Sequence, residues 1–350
     1  MESPADPHIL TREAYEAEEA ARLSPRAALS SATRGRERPV ADDPYRTEYQ
    51  RDRDRIIHCK AFRRLSHKTQ VFLAPEGDHY RTRLTHTLEV SQIARSIARA
   101  LRLNEDLTEA VALGHDLGHT PFGHIGEDAL NDALKEIRDT YPNVPYPFRH
   151  NLQSSRIVET LEYDGRGLNL TWEVRDGIRC HTGSQRAATL EGQIVAISDR
   201  VAYVNHDIDD AIRGGVITED ELPREACALL GHTHAERITT MVRSLVEVSA
   251  TSETIAMDES VYRAMMNLRS FLFDNVYLSP HAKAEEPKAY GVVQTLFRHY
   301  LAEPDDLPAE ERPADENYLV QAIADYVSGM TDRFAIRTYE QLMVPSRWRG

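Results

Sequence analysis

Apolar residues recur at helical spacing from about residue 50 onward, and the alternation typical of strands is scarce. One predicted helix spans residues 85–101, and one of its faces carries side chains at steps of 4, 3 and 4: His86, Val90, Ile93 and Ile97. A second predicted helix begins after Asn104, a residue type favoured at helix N-caps, and continues through Leu107, Val111 and His115. The pattern predicts an all-α fold.

A long central helix is predicted from Leu190 to Ile212, ending at the pair Gly214-Gly215. Its apolar residues lie on more than one face, so we expect it to be buried. Prolines at 142, 145 and 147 interrupt the helical pattern before it. Further helices are predicted at 234–249, 258–277 and 288–301, and a last one carries Leu319, Ile323, Val327 and Met330.

The first 45 residues differ from the rest of the chain. A short helix is expected around Thr11–Leu23, followed by a segment rich in Ser, Arg and Pro and poor in large apolar residues. We therefore predict a partly flexible N-terminal extension at 1–45 and one helical domain at 46–345. Within that domain we expect a core at about 80–215 and a C-terminal helical part at about 216–345.

The charge balance limits the partners of the chain. Its 42 Lys and Arg against 56 Asp and Glu give a net charge of −14, so general affinity for nucleic acid is not expected. A polyanionic substrate would need a local group of cations or a metal. The three cysteines, Cys59, Cys180 and Cys227, are far apart, which argues against a disulfide framework or a structural zinc site. No apolar run approaches a membrane span, and we expect a cytoplasmic protein with no membrane partner.

The segment GHDLGHTPFGHIGE, residues 114–127, concentrates side chains capable of chemistry. His115 and His119 are four residues apart and would share a helix face if the helix continued that far. We expect the helix to end soon, in a tight turn signalled by Gly118, Pro121 and Gly123. Such a turn would bring His124 back toward the same cavity.

Two further polar residues occupy otherwise apolar helix faces. His86 and Asp199 would both need a partner if they were buried. A divalent ion held by four side chains would satisfy them: His86, His115, Asp116 and Asp199. The alternatives are a core histidine bonded to a carbonyl at 86, an ion pair between Asp199 and Arg200, and a solvated helix end at 114–127.

The order His86, His115-Asp116, Asp199 matches the H…HD…D signature of the HD phosphohydrolase superfamily. The segments HYRTRLTHTLEVSQIARSIARAL, HDLGHTPFGHIGE, EGQIVAISDRVAYVNHDIDDAI and DYVSGMTDRFAI resemble the deoxyguanosinetriphosphate triphosphohydrolase-like family, from about residue 45 to 345. The resemblance implies an HD-domain helical bundle with additional C-terminal helices. It also implies metal-dependent hydrolysis of dGTP or several dNTPs to deoxynucleoside and inorganic triphosphate.

The same resemblance implies roles for the remaining polar residues of the motif. His124 is expected to act as acid or base at the α-phosphorus, and Glu127 to orient or charge His124. His119 is expected as a phosphate ligand or second catalytic imidazole, with His150 as further support. The mixed imidazole and carboxylate ligands favour Mn²⁺ or Mg²⁺, with Fe, Co, Ni or Zn as alternatives.

A second stripe runs along the central helix, where Asp199, Tyr203 and Asp207 are spaced by 4 and 4. A metal ligand, an aromatic ring and a carboxylate in line suit the phosphate, sugar and base of a nucleotide, although ordinary packing is the alternative. By resemblance, Tyr203 would exclude a 2′-hydroxyl and Asp207 would lie near the 3′-hydroxyl. Arg83 would contact phosphate and Gln70 the sugar, while Arg200 replaces a lysine of relatives.

Other functions stay open from the sequence. The substrate of an HD phosphohydrolase could be a nucleoside monophosphate, a cyclic dinucleotide or a guanosine alarmone, and His119, His150 and His181 leave room for a second metal. A non-enzymatic dNTP sensor or single-strand-binding regulator is the alternative of another class. Family members commonly form oligomers, often hexamers, so a homo-oligomer with a dNTP or single-stranded DNA effector is expected by analogy.

Overall fold

The protein is an assembly of α-helices, as the periodicity predicts. The structure is a computed structural model that describes residues 9–70, 81–278 and 280–345, the side chains of 280–284 excepted. Within these ranges there is no β-strand, only an isolated antiparallel bridge between Thr69 and Thr82. The all-α fold class is therefore confirmed.

The helices are α1 (Arg12–Arg22), α2 (Glu48–His58), α3 (Lys60–Arg64), α4 (Arg83–Ala100), α5 (Glu105–Gly114), α6 (Gly123–Ile137), α7 (His150–Arg156), α8 (Glu162–Gly165), α9 (Trp172–Cys180), α10 (Leu190–Arg213), α11 (Arg224–Leu230), α12 (His234–Ser249), α13 (Glu259–Leu272), α14 (Pro280–Ala302), α15 (Leu319–Gly329) and α16 (Asp332–Met343). Single π-helical turns extend α7 over Ile157–Leu161 and α13 over Phe273–Tyr277.

The helices that carry the candidate site begin where local sequence favours it. Asn104 caps α5 by accepting the backbone N–H groups of Asp106 and Leu107, both at 3.1 Å. Thr82 and Thr189 cap α4 and α10 in the same way. The central helix α10 packs against α4, α5 and α9, and most of its residues are buried, as its apolar pattern predicts.

Two groups of buried apolar side chains form the interior. The first lies among α2, α4, α5, α9, α10 and the helices up to α13. The second joins α6 to α14, α15 and α16. The loop of residues 115–122 connects α5 in the first group to α6 in the second, so the motif histidines lie where the two groups adjoin.

Close backbone packing shapes this loop. A Cβ atom on Gly118 would lie 2.2 Å from the backbone nitrogen of Ser154 and 2.4 Å from the carbonyl oxygen of His150, so only glycine fits against α7. Phe122 and Gly123 then adopt positive φ values of 62° and 60°, which turn the chain into α6. Helix α5 ends at Gly114, so His115 and His119 do not share a helix face.

The described part of the N-terminal segment packs against the helical domain. Glu19 is buried and accepts hydrogen bonds from Ser30 and from Nδ2 of Asn104. Arg36 pairs with Glu48 and with the fully buried Asp52. The division into an extension at 1–45 and a domain at 46–345 stays a prediction. Of the helices that the structure describes, none combines the length and apolar character needed to cross a bilayer.

Candidate metal centre and active site

Three of the four side chains predicted as metal ligands, His86, His115 and Asp116, place their ligand atoms within 4.8 Å of one another, and the fourth, Asp199, lies beside the two histidines. His86 comes from the first turn of α4, His115-Asp116 directly follow α5, and Asp199 lies in the middle of α10. Oδ1 of Asp199 lies 3.0 Å from Nε2 of His86 and 3.8 Å from Nε2 of His115. Oδ1 of Asp116 is 3.5 Å from Nε2 of His115, and its Oδ2 is 3.9 Å from Nε2 of His86. Donor atoms from α4, from the two residues after α5 and from α10 thus lie next to one another.

The donor atoms fit a divalent cation. Nε2 of His115 is buried and has no hydrogen-bond partner among the described residues, and Nε2 of His86 is buried with Oδ1 of Asp199 close by but not in hydrogen-bond geometry; both nitrogens are costly to bury unless a ligand meets them. Burial raises the pKa of Asp116, but nearby His119, His115 and Arg83 outweigh it, and the pKa of this carboxyl is lowered. The pKa of Asp199 is also lowered, because its contact with His86 outweighs burial. Two imidazoles and two carboxylates suit a divalent ion with open positions.

The purely structural roles considered for His86, Asp199 and the segment 114–127 do not fit the structure. His86 is not bonded to a backbone carbonyl, because its Nδ1 lies 2.9 Å from Nε2 of His206. Asp199 forms no ion pair with Arg200 within the described chain, and the positively chargeable groups beside it are imidazoles. The segment 114–127 is not a solvated helix end, since His115, Asp116 and His119 are buried.

The guanidinium of Arg83 is buried against the candidate metal ligands. It donates to Oδ2 of Asp116 at 2.9 Å. A Cβ atom on Gly123 would lie 2.7 Å from Nη2 of Arg83, so the loop backbone runs directly against this cation. The predicted contact of Arg83 with phosphate would have to use the N–H groups of the guanidinium that do not bind Asp116.

A second group of donor atoms adjoins the first: His119, His124, Glu127 and His150. Their ligand atoms lie within 4.8 Å of one another, so this group could hold a cation as well. The rings of His119 and His150 are stacked, with centroids 3.9 Å apart, and His124 is 5.5 Å from His119. Nε2 of His119 is 3.3 Å from Oδ1 of Asp116, which joins the two groups.

Glu127 has a different partner from the one predicted. Its Oε2 accepts a hydrogen bond from Nδ1 of His150 at 2.9 Å, and its Oε1 accepts the backbone N–H of His150 at 3.3 Å. We expected Glu127 to orient His124, three residues before it on α6. The N-terminus of α7 presents both groups of His150 to the carboxylate, while the side chain of His124 is exposed and its ligand atom lies within 4.8 Å of that of Glu127.

The four groups carry different charges near neutral pH. Burial and the charge of Arg83 lower the pKa of His119, and the crowding of polar neighbours that partly desolvates the His124 ring, together with Arg83, lowers the pKa of His124; both shifts favour the neutral ring. Burial acts against the charge of His150, but the hydrogen bond to Glu127 outweighs it and the pKa of His150 is raised. Burial likewise opposes the charge of Glu127, yet the pairing with His150 prevails and lowers the pKa of this carboxyl. These shifts favour the charged forms of His150 and Glu127 and the neutral forms of His119 and His124.

The site belongs to a continuous array of seven imidazole rings. Adjacent centroids are 3.9–5.6 Å apart along the order His206, His86, His115, His181, His150, His119 and His124. His181 follows α9, with Nδ1 bonded to the Ile178 carbonyl and Nε2 4.0 Å from Oδ1 of Asp116. Burial lowers the pKa of His181 to about 3, so it is a neutral ring. The sequence had indicated His181 as a candidate but gave no reason to single out His206.

Tyr203 and Asp207, which follow Asp199 on the same face of α10, contact residues of the C-terminal helical part. The Tyr203 hydroxyl accepts a hydrogen bond from Nε of Arg269 at 2.6 Å, and burial raises the pKa of Tyr203. Asp207 is buried, with one carboxylate oxygen accepting the hydroxyl of Tyr277 and the other next to His206. Neither Arg269 nor Tyr277 was predicted, because both come from the C-terminal helical part.

Gln70 and Arg200 occupy the margins of the site. The backbone carbonyl oxygen of Gln70 would be 3.5 Å from a Cβ atom on Gly123, which places this residue beside the loop. Arg200 is half-buried and near Tyr203. The predicted contacts of both residues with sugar and phosphate stay predictions.

Lys68 and Asp332, to which no role was assigned from the sequence, hold the loop of residues 115–122 in place. Lys68 is buried, and its ammonium donates to the carbonyl oxygens of His119 and Ser328. Asp332, at the start of α16, accepts hydrogen bonds from the backbone of Thr69 and Phe122. Their sequence signal is only their position inside the segments HKTQV and MTDRFAI.

Comparison with known proteins agrees with this geometry. The HD domain family matches residues 83–204, and the phosphohydrolase-associated domain family matches residues 255–341. With the His and Asp cluster inside the first of these regions, the chain is a metal-dependent phosphohydrolase of the HD type.

Relatives define the group more narrowly. A protein named deoxyguanosinetriphosphate triphosphohydrolase-like from Caldanaerobacter subterraneus subsp. tengcongensis is 56% identical over 327 residues, covering 93% of this chain and 94% of the relative. Proteins of the same name from Desulfatibacillum aliphaticivorans and Clostridium perfringens are 46% and 45% identical, covering 96% and 95% of this chain and 98% of each relative. The chain belongs to the deoxyguanosinetriphosphate triphosphohydrolase-like family.

Proposed function

We propose that this protein hydrolyses deoxynucleoside triphosphates to deoxynucleoside and inorganic triphosphate, with the aid of a divalent cation. The observation that carries the proposal is the adjacency of two groups: a buried set of metal donors and a set of imidazoles in different protonation states. They touch where Asp116 meets His119, at 3.3 Å. Phosphate ester hydrolysis needs charge neutralisation next to proton transfer, and the two sets supply one each.

The ligands of the cation would be His86, His115, Asp116 and Asp199. When bound, a divalent ion neutralises phosphoryl oxygens and polarises water. Mn²⁺ or Mg²⁺ fits the carboxylates, and Fe, Co, Ni or Zn fits the imidazoles. A second ion at His119, His124, Glu127 and His150 is less favoured, because Glu127 and His150 already neutralise each other.

Of the remaining residues, some supply positive charge to the phosphate and one transfers a proton. The guanidinium of Arg83 and the imidazolium of His150 place positive charge where the α-phosphate would lie, and His119 stacks on His150 beside it. His124 has an exposed side chain next to His119 and is the group we assign to proton transfer. The oxygen of water bonds to the α-phosphorus, the bond from phosphorus to the 5′-oxygen breaks, and that oxygen receives a proton. Glu127 acts through His150 rather than through His124.

The stripe on α10 would hold the nucleoside. Tyr203 and Asp207 lie one and two turns beyond Asp199, so a nucleotide with its phosphate near Asp199 would extend along them. Tyr203 is then placed to exclude a 2′-hydroxyl, with its own hydroxyl restrained by Arg269. Asp207 retains free lone pairs for a 3′-hydroxyl, because a carboxylate accepts about four hydrogen bonds. Gln70 and Arg200 are proposed for the sugar and the phosphates.

The decisive experiment identifies the products. Each dNTP, alone and in mixtures, is incubated with Mn²⁺ and the products are separated by anion exchange. Intact triphosphate supports the proposal, whereas orthophosphate or pyrophosphate would favour another HD phosphohydrolase substrate. No turnover with Mn²⁺, Mg²⁺ or Co²⁺ would favour a binding protein. His124→Ala should abolish the products, and His299→Ala, which changes a histidine paired with Asp306 far from the motif, should not.

Assembly, regulation and location stay predictions from the family resemblance: a homo-oligomer, activation by a dNTP or single-stranded DNA, and a cytoplasmic protein. Sedimentation of the purified protein and assays of mixed dNTPs with and without single-stranded DNA test the first two.

A further inference from the structure

His206 contacts a candidate metal ligand from behind. It is fully buried on α10, and its Nε2 lies 2.9 Å from Nδ1 of His86. The opposite nitrogen of His86, Nε2, faces Asp199 and the candidate metal position. The two rings are nearly perpendicular, at 82°, so that Nε2 of His206 points at the edge of the His86 ring. Each of the two nitrogens of His86 therefore has a defined neighbour.

Asp207 determines which nitrogen of His206 carries a proton. Nδ1 of His206 lies 2.7 Å from Oδ1 of Asp207. A lone pair on Nδ1 would face a carboxylate oxygen and be repelled, so this nitrogen carries the proton. Burial opposes the charge of His206, but the Asp207 carboxylate outweighs it and raises the pKa of this ring. A divalent cation held by His86 would repel a second positive charge on the adjoining ring, so the form of His206 that fits the metal-bound protein is the neutral ring with Nε2 as hydrogen-bond acceptor.

Metal binding also requires one particular tautomer of His86. A cation held by Nε2 of His86 requires the lone pair there, so the proton of this ring sits on Nδ1. That N–H needs an acceptor, and within the described chain the atom in hydrogen-bond distance is Nε2 of His206. Donor and acceptor thus match between His86 and His206, while Asp207 acts on His206 through its charge at 2.7 Å. The reverse tautomer of His206 would place two N–H groups against each other.

We propose that His206 is a positioning residue that fixes the orientation and the tautomer of His86 for binding a divalent cation, with Asp207 fixing His206 in turn. This inference rests on the proposed function, because it requires the metal. His115 uses a backbone carbonyl for the same purpose, at 2.6 Å from Ala112. His86 instead depends on a side chain, which mutation can remove. Because Asp207 also belongs to the stripe proposed for the nucleoside, the line connects the sugar end of the site to the metal end.

The test measures Mn²⁺ binding to metal-free protein by calorimetry, without substrate. His206→Phe keeps a ring but removes both nitrogens, and it should weaken Mn²⁺ binding about 10- to 100-fold, the usual effect of losing such a partner. His206→Gln retains an acceptor oxygen and should restore most of the affinity. Asp210→Asn changes a buried carboxylate one turn further along α10, which binds Arg81, and should bind Mn²⁺ like the wild type.

The outcomes separate the inference from the proposed function. Wild-type protein that binds no Mn²⁺ would overturn the proposed function and this role together. A folded His206→Phe that binds Mn²⁺ as tightly as the wild type overturns the role of His206 alone. An equal loss in His206→Gln contradicts the acceptor role. If His206→Phe does not fold, neutron crystallography of the Mn²⁺-loaded wild type decides: deuterium on Nδ1 of both rings supports the proposal, and deuterium on Nε2 of His206 overturns it.

Discussion

Asp332 accepts the backbone N–H of Phe122 at 3.0 Å, across 210 residues of chain. Its other oxygen accepts the backbone N–H and the hydroxyl of Thr69 at 2.9 and 2.7 Å. One buried carboxylate at the start of α16 thus ties the loop that leads into His124 to the segment that leads into Gln70. Helix α16 therefore helps to hold the loop of the candidate site in place.

Removing this tie should lower both stability and turnover. Asp332→Ala leaves two buried backbone N–H groups without an acceptor, and we expect a loss of about 3 kcal/mol in the free energy of unfolding. The rate should fall while the product remains triphosphate. Denaturant unfolding and the product assay measure the two effects. Asp306→Ala removes a half-exposed carboxylate and should change stability by less than about 0.5 kcal/mol; a similar loss in both variants would contradict the role of Asp332.

Metal binding should stabilise the folded protein, and this gain should depend on the cluster. At a Mn²⁺ concentration of about 100 times the dissociation constant, the wild type should gain about 2.7 kcal/mol. His115→Ala should gain almost nothing, because it removes a donor that has no other partner among the described residues. Thermal unfolding with and without Mn²⁺ measures the gain, and His299→Ala serves as the control. A full gain in His115→Ala would place the ion elsewhere.

His124→Ala should separate catalysis from metal binding. His124 lies in the second group of donor atoms, which shares no member with the four proposed ligands of the first ion. We expect the rate to fall by about 10²- to 10⁴-fold, the usual contribution of a general acid or base, with unchanged Mn²⁺ affinity. Calorimetry and steady-state kinetics are the measurements. Loss of Mn²⁺ binding together with activity would instead make His124 a metal ligand.

The pair of Glu127 and His150 should give a defined pH dependence of stability. The pKa of His150 is raised above 6.5, so its contribution is complete below that pH and is lost as the pH rises through the raised value. The pKa of Glu127 is lowered below 4.5, so its contribution is complete above that pH and is lost as the pH falls through the lowered value. The difference in unfolding free energy between wild type and Glu127→Gln should therefore be largest between pH 4.5 and 6.5.

Chemical denaturation of metal-free protein across the pH range measures this difference. It should shrink at alkaline pH, as His150 loses its proton. A difference that stays constant up to about pH 9 would mean that the pair is held by hydrogen bonding between neutral groups rather than by charge.

Gly118 and Gly291 should respond oppositely to the same substitution. Gly118→Ala would force a methyl group to 2.2 Å from the backbone of α7, and we expect a loss of about 3 kcal/mol together with loss of activity. Gly291 lies inside α14, and a methyl group added there would meet nothing within 4 Å, so Gly291→Ala should stabilise by about 0.5–1 kcal/mol. Unfolding curves for both variants check the contrast, and a mild effect at Gly118 would mean that α7 can move away.

The local periodicity accounts for the helices of the site. Helices α4, α5 and α10 occur where apolar spacing and capping residues predict them, because these signals act between residues three or four apart. Residue types also indicated the metal ligands, since a histidine and a carboxylate on apolar faces need a partner wherever they lie. The sequence by itself therefore determined the helical class and the residues brought to the metal centre.

Contacts between distant elements were decided by packing. The family resemblance implied that Glu127 orients His124, and the packing of α7 against α6 adds a hydrogen bond between Glu127 and His150. His206 became the partner of His86 only because α10 lies against α4, and Asp332 reaches Phe122 only because α16 packs beside the loop. A helical pattern states which side chains share a face, whereas the rotation and separation of packed helices decide what that face meets. For this reason the residues of the candidate metal centre could be proposed from the sequence, while the groups that contact them from other helices required the tertiary structure.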